Sequence, residues 1–286
     1  MLLYCLTDNE LPEQLAATQT GETETIMTDS RRIIGFINIA HGIDHMFMLI
    51  FPTAVLGMGA AFSKSYGELL SLSLGGFIAF GAGSLPAGWL GDVWSRRNML
   101  AVFFIGIGIS AIMTGLCPTT ALIAVGLTFI GLFASIYHPV GTAMLAAHAE
   151  KLGRDMGING VWGNLGIAFA ALLTGGLTQY AGWRAAFIVP GLASLVIGIA
   201  FLLMVPNLST GRKGPPKNSP ELPRAVVIRA FAVLAACAIF GSIVFNTVTI
   251  SIPKLLDERL VSFGSTPLGI GAIAACVYVF GAMSQV

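Results

Sequence analysis

The chain has 286 residues, 55% hydrophobic and only 10% charged, with a net charge of +1. Soluble domains carry about 25% charged residues, so this composition excludes a soluble globular fold whose surface must be covered with polar groups. The near-neutral balance and the lack of a basic patch interleaved with aromatics argue against nucleic-acid binding, and four scattered cysteines (Cys5, Cys117, Cys237, Cys276) without a CxxC pair indicate neither a zinc knuckle nor a disulfide framework.

Residues 1–30 are polar and acidic (Asp8, Glu10, Glu13, Glu22, Glu24, Asp29) and are read as a disordered cytoplasmic tail. The opening "MLLYCLT" lacks the basic start and long apolar core of a signal peptide. Beyond it, runs of about 20 apolar residues, the length that crosses a bilayer as a helix, predict eight spans. They are Ile33–Leu56, Leu69–Leu90, Met99–Cys117, Ala121–Ala147, Met156–Tyr180, Ala185–Val205, Ala230–Pro253 and Thr266–Val286. Residues 31–206 thus form a six-helix transmembrane bundle. Residues 207–225, rich in Pro and basic groups, form an inter-bundle linker, and 226–286 form the first two helices of an incomplete second bundle. The expected class is an all-α polytopic membrane protein, which the mean hydropathy of +0.83 and the 35 glycines fit, since glycine lets membrane helices approach closely.

Basic residues set the expected orientation in the membrane. With the N-terminus inside, the cytoplasmic side holds Arg31, Arg32, Arg96, Arg97, Lys151, Arg154, Arg212, Lys213, Lys217, Arg224 and Arg229, against Lys64, Arg184, Lys254 and Arg259 outside. The expectation is a multi-pass protein of the cytoplasmic (inner) membrane with a cytoplasmic N-terminus.

The first span contains "HGIDH", in which His41, Asp44 and His45 are spaced i, i+3, i+4 and share one helical face. Asp44 lies 11 residues past Ile33, about 16 Å along the helix and near the middle of a ~30 Å hydrocarbon core. An ionisable group there costs at least ~2.5–3.5 kcal/mol and normally faces a cavity or a partner. His41, Asp44 and His45 are therefore expected to line a central cavity and to bind substrate, a proton or both, histidine being the side chain that titrates near neutral pH. The bland alternative is a structural pair stapling the first helix to another. Two imidazoles and a carboxylate also suit Zn²⁺, but no His-rich tract accompanies them, and the sequence reading assigns no metal and no cofactor. His138, beside Pro139 in the fourth span, either extends this polar path or bonds a carbonyl freed by the proline. Asn164 and Asn246 are candidates for substrate contact or for interhelical hydrogen bonds. His148, next to Glu150 and Lys151, reads as a solvated loop residue, and Lys254, Asp257 and Glu258 as solvated groups at the outer mouth.

Two pairs of matches suggest an internal repeat. "FGAGS" (Phe80–Ser84) answers "FGAMS" (Phe280–Ser284) 200 residues later, and Phe51-Pro52 answers Ile252-Pro253. Spans seven and eight then repeat spans one and two in parallel, with six helices per unit, and the sequence reads as a fragment or a C-terminally truncated product.

After the second span comes "GWLGDVWSRRN" (Gly88–Asn98), in which Gly88, Leu90, Gly91, Asp92, Arg96 and Arg97 resemble the loop signature of the major facilitator superfamily. Val93 and Ser95 replace its usual basic residue and glycine. The resemblance implies that Asp92 helps lock two bundles together on the cytoplasmic side, as a gating residue able to cap a helix N-terminus. "GWRAAF" (Gly182, Trp183, Arg184, Phe187) resembles the family's joint between its fifth and sixth helices, and "GLFASIYHP" its fourth helix, with Leu127 where an arginine is usual. The fifth span carries small residues at Gly160, Gly163, Gly166, Ala170 and Thr174, with Ala170-Ala171 where antiporters of the family usually show Gly-Pro. Within the superfamily, "GIDH" and "YHPVGTAM" look most like the fosmidomycin-resistance branch of efflux pumps.

The resemblance implies a secondary transporter working by alternating access as a monomer, with a small organic solute and H⁺ as partners besides the lipid bilayer. The sequence has no GxxxxGK[ST], GxSxG or HExxH motif, so neither ATP drive within this chain nor an enzyme is expected. The alternative is a truncated, non-transporting remnant of the same fold.

Overall fold

The computed structural model describes residues 10–206, 223–260 and 266–283. All regular structure among them is helical. The elements are α1 (Glu10–Ala54), α2 (Gly59–Phe62), α3 (Tyr66–Leu70), α4 (Leu74–Leu90), α5 (Arg96–Leu116), α6 (Thr120–Ala134), α7 (Thr142–His148), α8 (Leu152–Ala181), α9 (Ala185–Met204), α10 (Arg224–Arg259) and α11 (Pro267–Met283). Five-residue π-helical turns cover Gly91–Ser95 and Tyr137–Gly141.

Helix covers most of each predicted span among the described residues, with instructive departures. The first begins at Glu10, inside the stretch read as a disordered tail. Pro12 lies in its first turn, where a missing N–H is harmless, and residues 13–28 are mostly competent helix formers. The second span is stepped. A 3₁₀ turn at Ser71–Ser73 separates α3 from α4, with the hydroxyls of both serines donating to carbonyls three residues back. The fourth is interrupted at Pro139, which cannot donate to the ladder, so α6 and α7 are joined through the Tyr137–Gly141 turn. The linker at 207–222 lies outside the described residues.

The chain reverses between α4 and α5 at Ser95, whose backbone is extended (φ −171°, ψ 124°) and whose hydroxyl accepts from Asn98 N, capping α5. The cap is therefore Ser95, a residue that departs from the family signature, and not Asp92 as expected. Asp92 instead accepts from Arg96 Nη2 at 2.8 Å in a partly exposed pair.

Helix α8 lies between α1 and α11, while α5 packs on α9 and α6, and α4 on α6. Small residues set these contacts. A Cβ added at Gly166 would run into the backbone of Gly42 on α1, and one at Gly271 into the carbonyl of Ala171 on α8. Gly163 and Gly166 of the fifth span's small-residue stripe thus face α1, while Ala171 and Gly175, each one position beyond a stripe residue, face α11.

The α5–α9 pair is closed at both ends by arginine. Arg97, at the start of α5, donates to Leu202 O (2.6 Å) and Val205 O (3.0 Å) at the end of α9. Arg184, just before α9, donates to Gly115 O (2.8 Å) and Cys117 O (2.9 Å) at the end of α5. Each helix begins with a cation that satisfies the orphan carbonyls of the other, where the helix dipole also favours positive charge. Arg32 adds a bond to Met204 O at 3.2 Å.

Candidate functional site

The buried stripe of α1 reads Ile33, Ile37, Ala40, Asp44, Phe47, Phe51, Ala54, alternating steps of four and three. Six of these side chains are apolar, and the seventh is a carboxylate 1% exposed. Asp44 also falls one residue past the midpoint of the apolar stretch Asp29–Gly57. Its partner comes from another span: Asp44 Oδ2 lies 3.3 Å from His138 Nε2, while Oδ1 is buried with no hydrogen-bond partner among the protein groups. His138 thus lies against Asp44 in the polar cluster.

His41 and His45 flank the stripe and are half-buried. Their Nε2 atoms are 3.1 Å apart, and the rings meet edge to face with centroids 4.7 Å apart. His41 is held from three sides. Its Nδ1 is 2.7 Å from the backbone carbonyl of Asn159, its ring stacks on Tyr137 (4.8 Å, 21°), and it fills the space over Gly163, where a Cβ would lie 2.7 Å from Nε2. His138 sits edge-on to both other imidazoles at 5.5 and 5.8 Å. Phe80 of α4 closes one side of the cluster and Phe245 of α10 approaches His45 at 6.2 Å, so a helix from the second half of the chain reaches the site.

Three residues not singled out in the sequence support it. Tyr137 Oη donates to Asn159 Oδ1 (3.0 Å), and Asn159 Nδ2 donates to Asn38 Oδ1 (2.9 Å). All three are buried. Asn38, three residues before His41 on the same face, and Tyr137, next to His138, were the available signals. Asn164 and Asn246, by contrast, donate to carbonyls of their own helices, Gly160 O and Ser242 O. His148, expected in solvent, is half-buried at the end of α7 with Nδ1 2.8 Å from Met144 O. Lys254 pairs with Asp257 (3.0 Å) and Glu258 (3.5 Å).

The signature glycines do more than permit a turn. A Cβ at Gly88 would lie 3.2 Å from Pro139 Cβ, and one at Gly91 would lie 2.9 Å from Val140 Cγ2. The end of α4 is thereby seated on the turn that carries His138. Leu90 is exposed at the same end. In the second motif, Gly182 takes φ +82°, a conformation favouring glycine. Trp183 lies beneath the Arg184 guanidinium at 4.5 Å, and Phe187 is fully buried. These are structural roles.

Residues 37–286 match the Major Facilitator Superfamily, which is most of the chain. The protein belongs to that family. It is similar to the puromycin resistance protein pur8 of Streptomyces alboniger (28% identity, 47% of this chain and 27% of that protein). It is also similar to a probable hexose phosphate transport protein of Chlamydia trachomatis (28%, 54% and 34%). The tetracenomycin C resistance and export protein of Streptomyces glaucescens is 30% identical over 48% of this chain and 27% of its own length. The chain thus matches about a third or less of the length of these relatives. Among solved structures, a bacterial homologue of the human lysosomal transporter Spinster superposes with TM-score 0.73 at 14% identity, covering 89% of this chain and 60% of that one. A D-xylose–proton symporter superposes with TM-score 0.60 at 15% identity, covering 88% and 66%. These establish the fold. The chain is a multi-pass, all-helical membrane protein.

Proposed function

We propose that this major facilitator protein is a secondary transporter that moves a small organic solute across the cytoplasmic membrane, coupled to protons, with the Asp44–His138 pair as the ionisable core of its site. The observation that carries the reading is a carboxylate 1% exposed at mid-span, partnered by a histidine from another span and with one oxygen unmatched. Such groups are retained in membranes on substrate and proton pathways. His41 and His45 set two further imidazoles beside the pair, their Nε2 atoms 3.1 Å apart. The approach of Phe245 of α10 to His45 supports a site between two bundles, the place from which alternating access works.

The excess of Lys and Arg in the segments that begin with residue 31 supports a cytoplasmic N-terminus. With that orientation, Asp92 and Arg96 face the cytoplasm, and the seat of the neighbouring Gly88 and Gly91 against the Tyr137–Gly141 turn makes a gating role for the loop mechanically direct. Two of the relatives carry antibiotic resistance in their names, and one of those also export. That favours drug efflux, with fosmidomycin-like antibiotics among the first solutes to assay given the likeness in "GIDH" and "YHPVGTAM". The test is solute flux in proteoliposomes under an imposed pH gradient. Gradient-driven flux that Asp44→Asn abolishes supports the reading, and flux in that variant equal to the parent's overturns it.

A further inference from the structure

The mid-span cluster carries a second property, independent of transport. We propose that His41, His45 and His138 form a binding site for one divalent transition-metal ion of the Zn²⁺ class, with Asp44 orienting His138 through its carboxylate. One ring nitrogen from each imidazole lies within 4.8 Å of the others. The tightest pair, His41 Nε2 and His45 Nε2, is 3.1 Å apart. Two nitrogens bound tetrahedrally at Zn–N distances of about 2.0–2.1 Å sit about 3.3–3.4 Å from each other. This pair needs almost no movement to share an ion, because i, i+4 spacing on one helix already aligns it.

Tautomers point the same way. The Asn159 carbonyl can only accept, so the neutral His41 ring carries its hydrogen on Nδ1 and presents a lone pair at Nε2, which accepts from His45 Nε2–H until a metal ion displaces that hydrogen to the other His45 nitrogen. Metal-binding histidines are oriented by this device, with the remote N–H on a backbone carbonyl or a carboxylate. His138 shows the carboxylate version, with Asp44 Oδ2 at one ring nitrogen and the second nitrogen left its lone pair. Stacking on Tyr137 and the missing side chain at Gly163 fix the His41 ring where its nitrogen converges with the others. Asp44 Oδ1, buried and without a hydrogen-bond partner among the protein groups, leaves acceptor capacity beside the three imidazoles.

Tag-free protein in detergent, stripped with a chelator, should bind one Zn²⁺ per chain by calorimetry, and Co²⁺ should show the intense visible bands of a low-coordinate nitrogen site. His41→Gln, His45→Gln and His138→Gln should each weaken binding about tenfold or more, the triple variant should abolish it, and Asp44→Asn should cost about 10–100-fold. His148→Gln should change nothing. In the unaltered protein, Zn²⁺ should shield these three histidines, and not His148, from acylation by diethyl pyrocarbonate, read peptide by peptide in a mass spectrometer. No stoichiometric binding by the parent chain, equal binding by the triple variant, or no shielding overturns the proposal. These are equilibrium measurements without a gradient, so the metal site and the transport reading stand or fall separately.

Discussion

The α5–α9 pair and the mid-span cluster use polar groups in opposite ways. Along α5 and α9, Arg97 and Arg184 satisfy carbonyls that the helix ends leave orphaned, and Ser194 Oγ donates to Phe104 O at 2.8 Å. Between them, Gly108 and Gly191 let the two backbones touch. Around Asp44, three imidazoles and a carboxylate share few bonds, and one carboxylate oxygen has none within the protein. Polar groups in the first region finish the fold. In the second, one carboxylate oxygen is left without a bond inside the protein, in a low-dielectric interior where such a group is costly.

If that contrast is right, stability and activity should separate by region. The largest effect expected is on flux: Asp44→Asn should abolish it while leaving the melting temperature in detergent no lower than the parent's, since the amide keeps the shape of a group one of whose oxygens has no bond within the protein. A drop in melting temperature like that of an arginine variant would make Asp44 a structural staple. Arg184→Ala should do the reverse, costing about 1.5–3 kcal/mol of stability through lost charge-assisted bonds, with flux per folded molecule retained. Gly191→Val, whose added Cβ meets Gly108 O at 2.9 Å, should cost about 1–3 kcal/mol by overpacking. Gly163→Ala sharpens the comparison: the imidazole of His41 must move, so flux should fall more than stability does. Smallest is Ser95→Ala, about 1 kcal/mol for the lost helix cap, read as a modest fall in melting temperature.

The spans were legible because hydrocarbon thickness imposes a length on apolar runs. Asp44 stood out because a carboxylate in such a run is costly. His138 was legible as a candidate. Its pairing with Asp44 was not, since the two residues are 94 positions apart and single-sequence periodicity carries no information across helices. Likewise, the carbonyls that Arg97 and Arg184 reach lie at distant helix ends, so their basic character suggested only topology and anchoring. The helical backbone from Glu10 was missed because acidic residues read as solvated tail although they also propagate helix well. Asn164 and Asn246 each donate to a carbonyl of their own helix, a bond that an apolar run with an amide in it does not announce.

The origin of the cluster's rings has a mechanical corollary. His41, His45, Tyr137, His138 and Phe80 all come from the first 138 residues, whereas Phe245 comes from α10. If the two halves pivot against each other, the imidazoles ride together like instruments on one bench, and the phenyl ring swings past them as a shutter. Whatever occupies the cluster would keep its ligands through the stroke and exchange only its view of the two compartments.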